Sequence, residues 1–280
     1  MEPVDLPHPV TGQRFPSPVP PGCGWPGDPA TASTRVARSA AGVQRLAAAA
    51  DPGQLDARVS VCAACPRLVA WRTEVARTKR AAYADQPYWG RPVPGWGSPD
   101  APVLVVGLAP GAHGAARTGR NFTGDDAGDW LFGSLHRTGF ASAPTSRHTG
   151  DGTELHRVRI TPAVHCVPPD NVPTPDELAA CSPWLRAELR LTGAGVLVAL
   201  GAVAWRAVLG AARHDGWQVP RPAPRFGHAA QVTLHRADGG EVVLLGCYHP
   251  SRHNTATGRL TASMLDQVFT RAAALGGCSA

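Results

Sequence analysis

The stretch VLVVGLAPGAHGAARTGRNFTGDDAG, Val103 to Gly128, decides how this chain folds. Four aliphatic residues run into Gly107, a turn rich in glycine and proline follows, and a helix-like run begins near Asp126. A short apolar run bounded by turn residues is the pattern of a strand buried on both faces, as in a parallel sheet. Glycine-rich loops after such strands often cradle phosphate through backbone N–H groups. This loop fits no phosphate motif and holds no lysine, and Phe122, Asp125 and Asp126 follow it. A nucleotide-dependent enzyme is therefore disfavoured.

The same pattern recurs along the chain. Apolar runs at 102–107, 157–164, 195–201 and 241–248 read as buried strands. Helical segments are predicted at Asp126–Arg137, Asp176–Leu191, Ala202–Ala212 and Arg259–Ala274. Strands alternating with helices imply an α/β fold, a parallel sheet covered on both faces. Asp238-Gly239-Gly240 marks a hairpin leading into the last strand. Before the sheet, residues 1–45 are rich in Pro, Gly, Ala and Ser and read as an arm with weak structure of its own. Residues 46–280 form the domain. A helix is predicted over Leu55–Lys79, interrupted near Pro66, and a Pro/Gly-rich loop spans Pro87–Asp100. Ligands of such sheets bind outside the carboxyl ends of the strands, so the loops after Gly107, Val164, Gly201 and Tyr248 are the ones to inspect.

Composition adds limits. The 280 residues suffice for a large core. No apolar run approaches the roughly 18 residues of a membrane span, and the N-terminus lacks the features of a signal peptide, so a cytoplasmic location is expected. The formal charge of +6 leans toward an anionic partner such as nucleic acid. Seven cysteines without an export signal favour metal ligation over a disulfide framework.

Cys62 and Cys65 form a C-x2-C pair; three apart on a helix, they would point the same way. Cys166 follows a strand and Cys181 lies in the next helix. The wide second spacing suits zinc less well than an iron–sulfur cluster, which also needs four thiolates. Spacing alone leaves a cluster, zinc and no metal all open. Cys23, Cys247 and Cys278 read as small buried hydrophobes.

Taken together, GLAPGAHG, TGRNFTGD, HCVPPDN, HPSR and TGRLT with these four cysteines resemble the family 5 (type B) uracil-DNA glycosylases over nearly the whole chain after about Asp56. The resemblance implies an α/β/α sandwich on a central four-stranded parallel sheet. It also implies a 4Fe-4S cluster on Cys62, Cys65, Cys166 and Cys181, and DNA repair by cleavage of the N-glycosidic bond of damaged bases. The expected form is a monomer acting on DNA, with no membrane role.

The residues suit that chemistry. A base must leave the duplex to be reached, and Phe122 offers a stacking surface beside Gly107, Ala109 and Gly111. His249, matching the family's motif histidine, is the candidate donor to the base carbonyl as negative charge grows there. Relatives in the wider superfamily carry an acidic residue or Asn where this chain has Ala109, so Asp125 is the first candidate to serve the water, with Asp126 and Asn171 as alternatives. Ser251, Arg252, His253, Asn254, Gly258 and Arg259 are candidate DNA contacts, and Arg117 and Arg120 are lesser ones. The strand before Cys166 offers Thr161 and no amide, which implies a loose pocket accepting hypoxanthine, xanthine or ethenocytosine as well as uracil. Lys79, the single lysine, lies far from the motifs, so hydrolysis without a Schiff base is expected. The competing reading is an iron–sulfur protein that binds DNA without cutting it.

Overall fold

A computed structural model describes residues 5–277. Strands β1 (Leu6–Pro7) and β2 (Arg14–Phe15) form a small ladder, followed by helices α1 (Ala40–Ala48), α2 (Pro52–Ser60) and α3 (Pro66–Thr78). The main sheet then alternates with helices: β3 (Val103–Gly107), α4 (Ala115–Thr118), α5 (Asp126–Arg137), β4 (Val158–Pro162), α6 (Pro175–Leu191), β5 (Val196–Leu200) and α7 (Ala202–His214). The hairpin β6 (Gln231–His235) and β7 (Glu241–Cys247) follows, then α8 (Arg252–Ala256) and α9 (Ala262–Leu275).

The sheet has five strands in the order β4-β3-β5-β7-β6, one more than the expected four. Four are parallel; β6 pairs antiparallel with β7 at the edge, from Gln231↔Leu245 to His235↔Glu241. The turn at Asp238-Gly239-Gly240 thus adds its own first strand to the sheet. Every residue of β3, β4 and β5 is buried, because helices cover both faces. Alternate residues serve opposite layers: Val103, Val105 and Val198 pack with Leu131, Leu135 and Phe269, while Leu104, Val106 and Leu197 pack with Leu185, Trp205 and Val208.

Three predicted elements shift. The helix expected over Leu55–Lys79 is interrupted as expected before Pro66, but the break already begins after Ser60, so Cys62 and Cys65 lie in it rather than on a helical face. Pro66 opens α3 at its first turn and forces Cys65 into an extended conformation as N-cap. The last helix begins at Ala262, where the Thr261 hydroxyl accepts from the Met264 amide, not at Arg259. A short helix, α8, also occupies part of the expected loop after His249.

The N-terminal arm carries little regular structure, yet Phe15, Val19 and Trp25 are buried against Trp89, Val93 and Ala115. His8 and His148 meet there with ring centroids 4.3 Å apart, and Thr149 Oγ1 lies 3.3 Å from a ring nitrogen of each. Burial lowers His8 to about 4; burial, then His8 itself, lowers His148 to about 3. Both fall below the ordinary imidazole value, so the unfolded chain takes up protons that the folded chain refuses. The contribution is full above about pH 7 and drains away as pH falls toward 4. The melting temperature is expected to drop by roughly 5–10 °C between pH 7.5 and pH 5, and by less in a His148→Gln variant. Calorimetry across that range checks this; an equal drop in both proteins would rule the pair out as its source.

Candidate active site and cysteine cavity

A cavity of about 620 Å3 opens at the carboxyl ends of β3, β4 and β7. Its floor is the loop Gly107–Ala115, and Asn121, Phe122 and Gly124–Ala127 form one wall. His249, Ser251 and Arg252 stand across it, Asn171 sits at the rim, and β4 reaches it through Pro162. Thr161 is buried and is not among the lining residues.

Phe122 lies over the strand end. A Cβ on Gly107 would sit 3.1 Å from its ring, so a larger residue there would push the aromatic ring outward by a few tenths of an ångström. Phe122 holds a φ of 50°, an unfavourable region for a bulky residue that surrounding structure has to enforce. Its ring centroid is 5.9 Å from that of His249, tilted by 36°. His249 follows β7, and Asn254 Nδ2 donates to its backbone oxygen at 2.8 Å. Burial lowers its imidazole to about 4, so the ring is neutral at physiological pH and one nitrogen carries a proton to donate.

Asp125 is the N-cap of α5. One carboxylate oxygen accepts from the Gly128 amide at 2.9 Å. The other faces the floor loop: a Cβ on Gly111 would lie 3.0 Å from Oδ2, and one on Gly114 would collide with it. Those glycines therefore make room for a carboxylate, a reason beyond backbone approach to a base. Burial raises the Asp125 carboxyl above the ordinary range, the Gly128 hydrogen bond opposes it, Asp126 and Asp129 add to it, and Arg117 opposes it again. Asp126, the next residue, is exposed at the first position of α5. Asn171 is exposed too, with a φ of 58° in the turn Pro169–Asn171. Ala109 lines the cavity and brings no functional group.

Beside the mouth, Arg252, His253 and Arg259 are exposed. Arg259 lies 4.6 Å from the Tyr248 ring centroid, Ser251 caps α8, and Gly258 turns the chain with a φ of 68°. Asn254, expected with the DNA contacts, turns its amide inward to His249. Arg117 and Arg120 correct the expectation of phosphate-facing loops, being 4% and 8% exposed. Arg120 donates to Asp151 and Ser146, both at 2.7 Å, so its charge is paired inside the fold. Arg80, Tyr83, His113 and Asn121 also line the cavity and were not among the predicted residues. Asn121 and His113 lie within the motifs TGRNFTGD and GLAPGAHG, but Arg80 and Tyr83 come from an aperiodic segment with no signal of its own.

A second, smaller cavity is lined by all four flagged cysteines, Cys62, Cys65, Cys166 and Cys181, with Arg72 and Trp184. Burial raises the thiols of Cys62, Cys65 and Cys181, and each is raised further by its cysteine neighbours. Arg72 donates to Cys166 Sγ at 3.0 Å, and the His165 amide donates to Cys181 Sγ at 3.5 Å. Among the described residues, no group of three or more His, Cys, Asp or Glu side chains is placed to hold a single metal ion. Cys247 is fully buried as expected, Cys23 is half-buried, and Cys278 lies outside the described residues. Among the described residues no helix is long and apolar enough to cross a membrane.

Comparison with known proteins follows this geometry. Residues 94–273 match the family described as the uracil DNA glycosylase superfamily. The chain is 55% identical to the type-5 uracil-DNA glycosylase of Mycobacterium tuberculosis over 273 residues, 96% of this chain and 99% of that protein. It is 49% identical to the type-5 protein of Thermus thermophilus, covering 78% of this chain and 95% of the relative. A type-4 uracil-DNA glycosylase of Thermotoga maritima is more distant, 34% identical over 148 residues. With a family match across most of the sheet domain and type-5 relatives aligned almost end to end, the chain belongs to the uracil-DNA glycosylase superfamily, among its type-5 members.

Proposed function

We propose that this protein is a monofunctional glycosylase of base excision repair that hydrolyses the bond between uracil and deoxyribose in DNA. The convergence of Phe122, Asp125 and His249 on one cavity at the strand ends carries this reading. A flipped-out base stacks on Phe122, and the neutral His249 donates a hydrogen bond to the base oxygen where negative charge gathers. The bond from C1′ to the base nitrogen breaks, and its electron pair leaves with the base. Asp125 Oδ2 orients the water that forms the new C1′–O bond and accepts its proton. Its negative charge also stabilises the cationic sugar. A carboxyl raised by burial is a better base for that task than an ordinary one.

The absence of an amide from β4, which reaches the cavity only through Pro162, together with a cavity of about 620 Å3, supports acceptance of hypoxanthine, xanthine and ethenocytosine. Lys79 Nζ donates to the Gln86 carbonyl at 2.8 Å and is not among the cavity residues, which supports hydrolysis rather than lyase chemistry. The test is incubation with single- and double-stranded uracil DNA. Strand breaks are expected only after alkali. No break with either substrate overturns the reading and leaves the non-catalytic DNA-binding alternative. DNA backbone contact is assigned to Ser251, Arg252, His253 and Arg259, and Gly258 shapes that loop.

Cys62, Cys65, Cys166 and Cys181 are proposed to hold a 4Fe-4S cluster. A cluster spreads its four thiolates over several iron atoms, so it does not require convergence on a single point, and an all-sulfur donor set suits it. When bound it supplies a structural clamp between the break after α2 and the 166–181 segment. Cys166→Ala is expected to lose iron, lose visible absorbance and melt at lower temperature. Wild-type protein holding zinc without iron, by metal analysis, would refute the assignment.

A further inference from the structure

Among the described residues Arg117 is a buried cation without an ion pair. Of the other buried arginines, Arg91 pairs with Asp28, Arg120 with Asp151, and Arg159 with Glu188 and Asp56, while Arg72 donates to Cys62 O and Cys166 Sγ in the cysteine cavity. Arg117 instead meets three neutral acceptors: His113 O at 2.7 Å, Gln86 Oε1 at 2.8 Å and Gly124 O at 3.1 Å. Its guanidinium carbon also lies 4.0 Å from the Tyr83 ring centroid. Burying a charge without a partner is costly, so a structural role alone explains it poorly. Its contacts are informative. His113, Gly124 and Tyr83 line the large cavity on three different segments, and Gly124 immediately precedes Asp125.

We propose that Arg117 is a positioning residue for the hydrolytic step, fixing through Gly124 the loop that carries Asp125 and bringing a positive charge to that side of the cavity. The inference rests on the function proposed above. The charged groups that act on Asp125 are Asp126 and Asp129 on α5 and Arg117 on α4, with the Gly128 amide as its hydrogen-bond donor, and Arg80, His113, His249 and Arg252 line the same cavity. Asp129 is itself held by Arg147 at 3.0 Å. Arg117 is therefore the cation among them that opposes two acids and burial. Its fork also ties the 80–86 segment to the floor, so one side chain sets both the wall and the carboxylate.

The test is single-turnover release of uracil across a pH series for wild type, Arg117→Gln, Arg117→Lys, Asp125→Asn and the double variant Arg117→Gln/Asp125→Asn. Arg117→Gln is expected to slow release about 10–100-fold near neutrality and to move the acid limb to higher pH. Arg117→Lys keeps the charge and loses the fork, so its acid limb stays near that of wild type while its rate stays low. In the Asp125→Asn background, Arg117→Gln is expected to add less than about a threefold loss, because the two act through one group. An equal fractional loss at every pH, multiplying in full with Asp125→Asn, overturns the proposal and leaves Arg117 as packing. If circular dichroism shows that Arg117→Gln does not fold, Arg117→Lys decides: a displaced acid limb would overturn the proposal. A wild type that releases no uracil overturns the functional reading too; an active wild type with multiplicative losses overturns only this inference.

Discussion

Asp125→Asn is expected to slow single-turnover base release by about 10²–10⁴-fold while leaving the melting temperature almost unchanged. The substitution separates the capping role of this carboxylate from the catalytic role proposed for it. As N-cap of α5, Asp125 accepts from the Gly128 amide, and asparagine caps a helix nearly as well. As a base, the second oxygen faces the floor loop beside Gly111 and Gly114, and an amide there can neither accept a proton nor carry charge. The pH dependence has a definite sign. The Asp125 carboxyl is raised by burial, so wild-type activity falls as pH drops through that raised value. The deficit of the variant is therefore largest at high pH and shrinks in acid. A loss of activity that tracks a lost melting transition would instead make Asp125 a helix cap and nothing more.

His249→Ala is the second large effect, an expected loss of about 10²–10³-fold in the same assay. Burial holds the imidazole at about 4, so the donor is neutral N–H across the working range. The loss should accordingly be constant between about pH 6 and 9, in contrast to that of Asp125→Asn. A deficit that disappears as pH rises through the ordinary imidazole range would show a cationic histidine and contradict the burial argument. Asn254 holds the backbone oxygen of His249 and Phe122 stands 5.9 Å away, so the ring has a defined seat from which to donate. Preorganisation of that kind is what makes one donor worth several kcal/mol, on the order of 3–4.

Both residues are legible in the sequence through the family resemblance, which supplies the motif histidine and marks Ala109 as a departure, while the strand pattern places their loops. VLVV and VLVAL are buried on both faces, so they show no alternation and read as parallel strands, whereas VRIT alternates and is buried because Arg159 pairs with Asp56 and Glu188. Phe122, Asp125 and His249 occupy loops after such strands, where α/β sheets bind ligands. The four cysteines are grouped in the sequence by the C-x2-C pair and the family resemblance, and the structure brings them to one cavity.

Other features depended on partners far away in the chain. The helical face expected to align Cys62 and Cys65 does not exist, because Pro66 restarts the helix after them. Arg117 and Arg120 look like solvated loop residues until Gln86, Gly124, Ser146 and Asp151 arrive from elsewhere to satisfy them. Arg80 and Tyr83 reach the cavity only because α3 delivers its C-terminal end there. The arm before α1 has the composition of a tail, yet Trp89 and Val93 give its aromatics a place to bury.

Sequence by itself determined the strand-and-helix alternation, the loops that meet at the strand ends, and the residue types available there, because those follow from local periodicity and turn chemistry. Tertiary structure alone decided which charges are buried and which oxygen of Asp125 faces the floor loop. Burial and hydrogen-bond pairing are properties of segments brought together from distant parts of the chain, and no window of sequence contains both sides of such a contact.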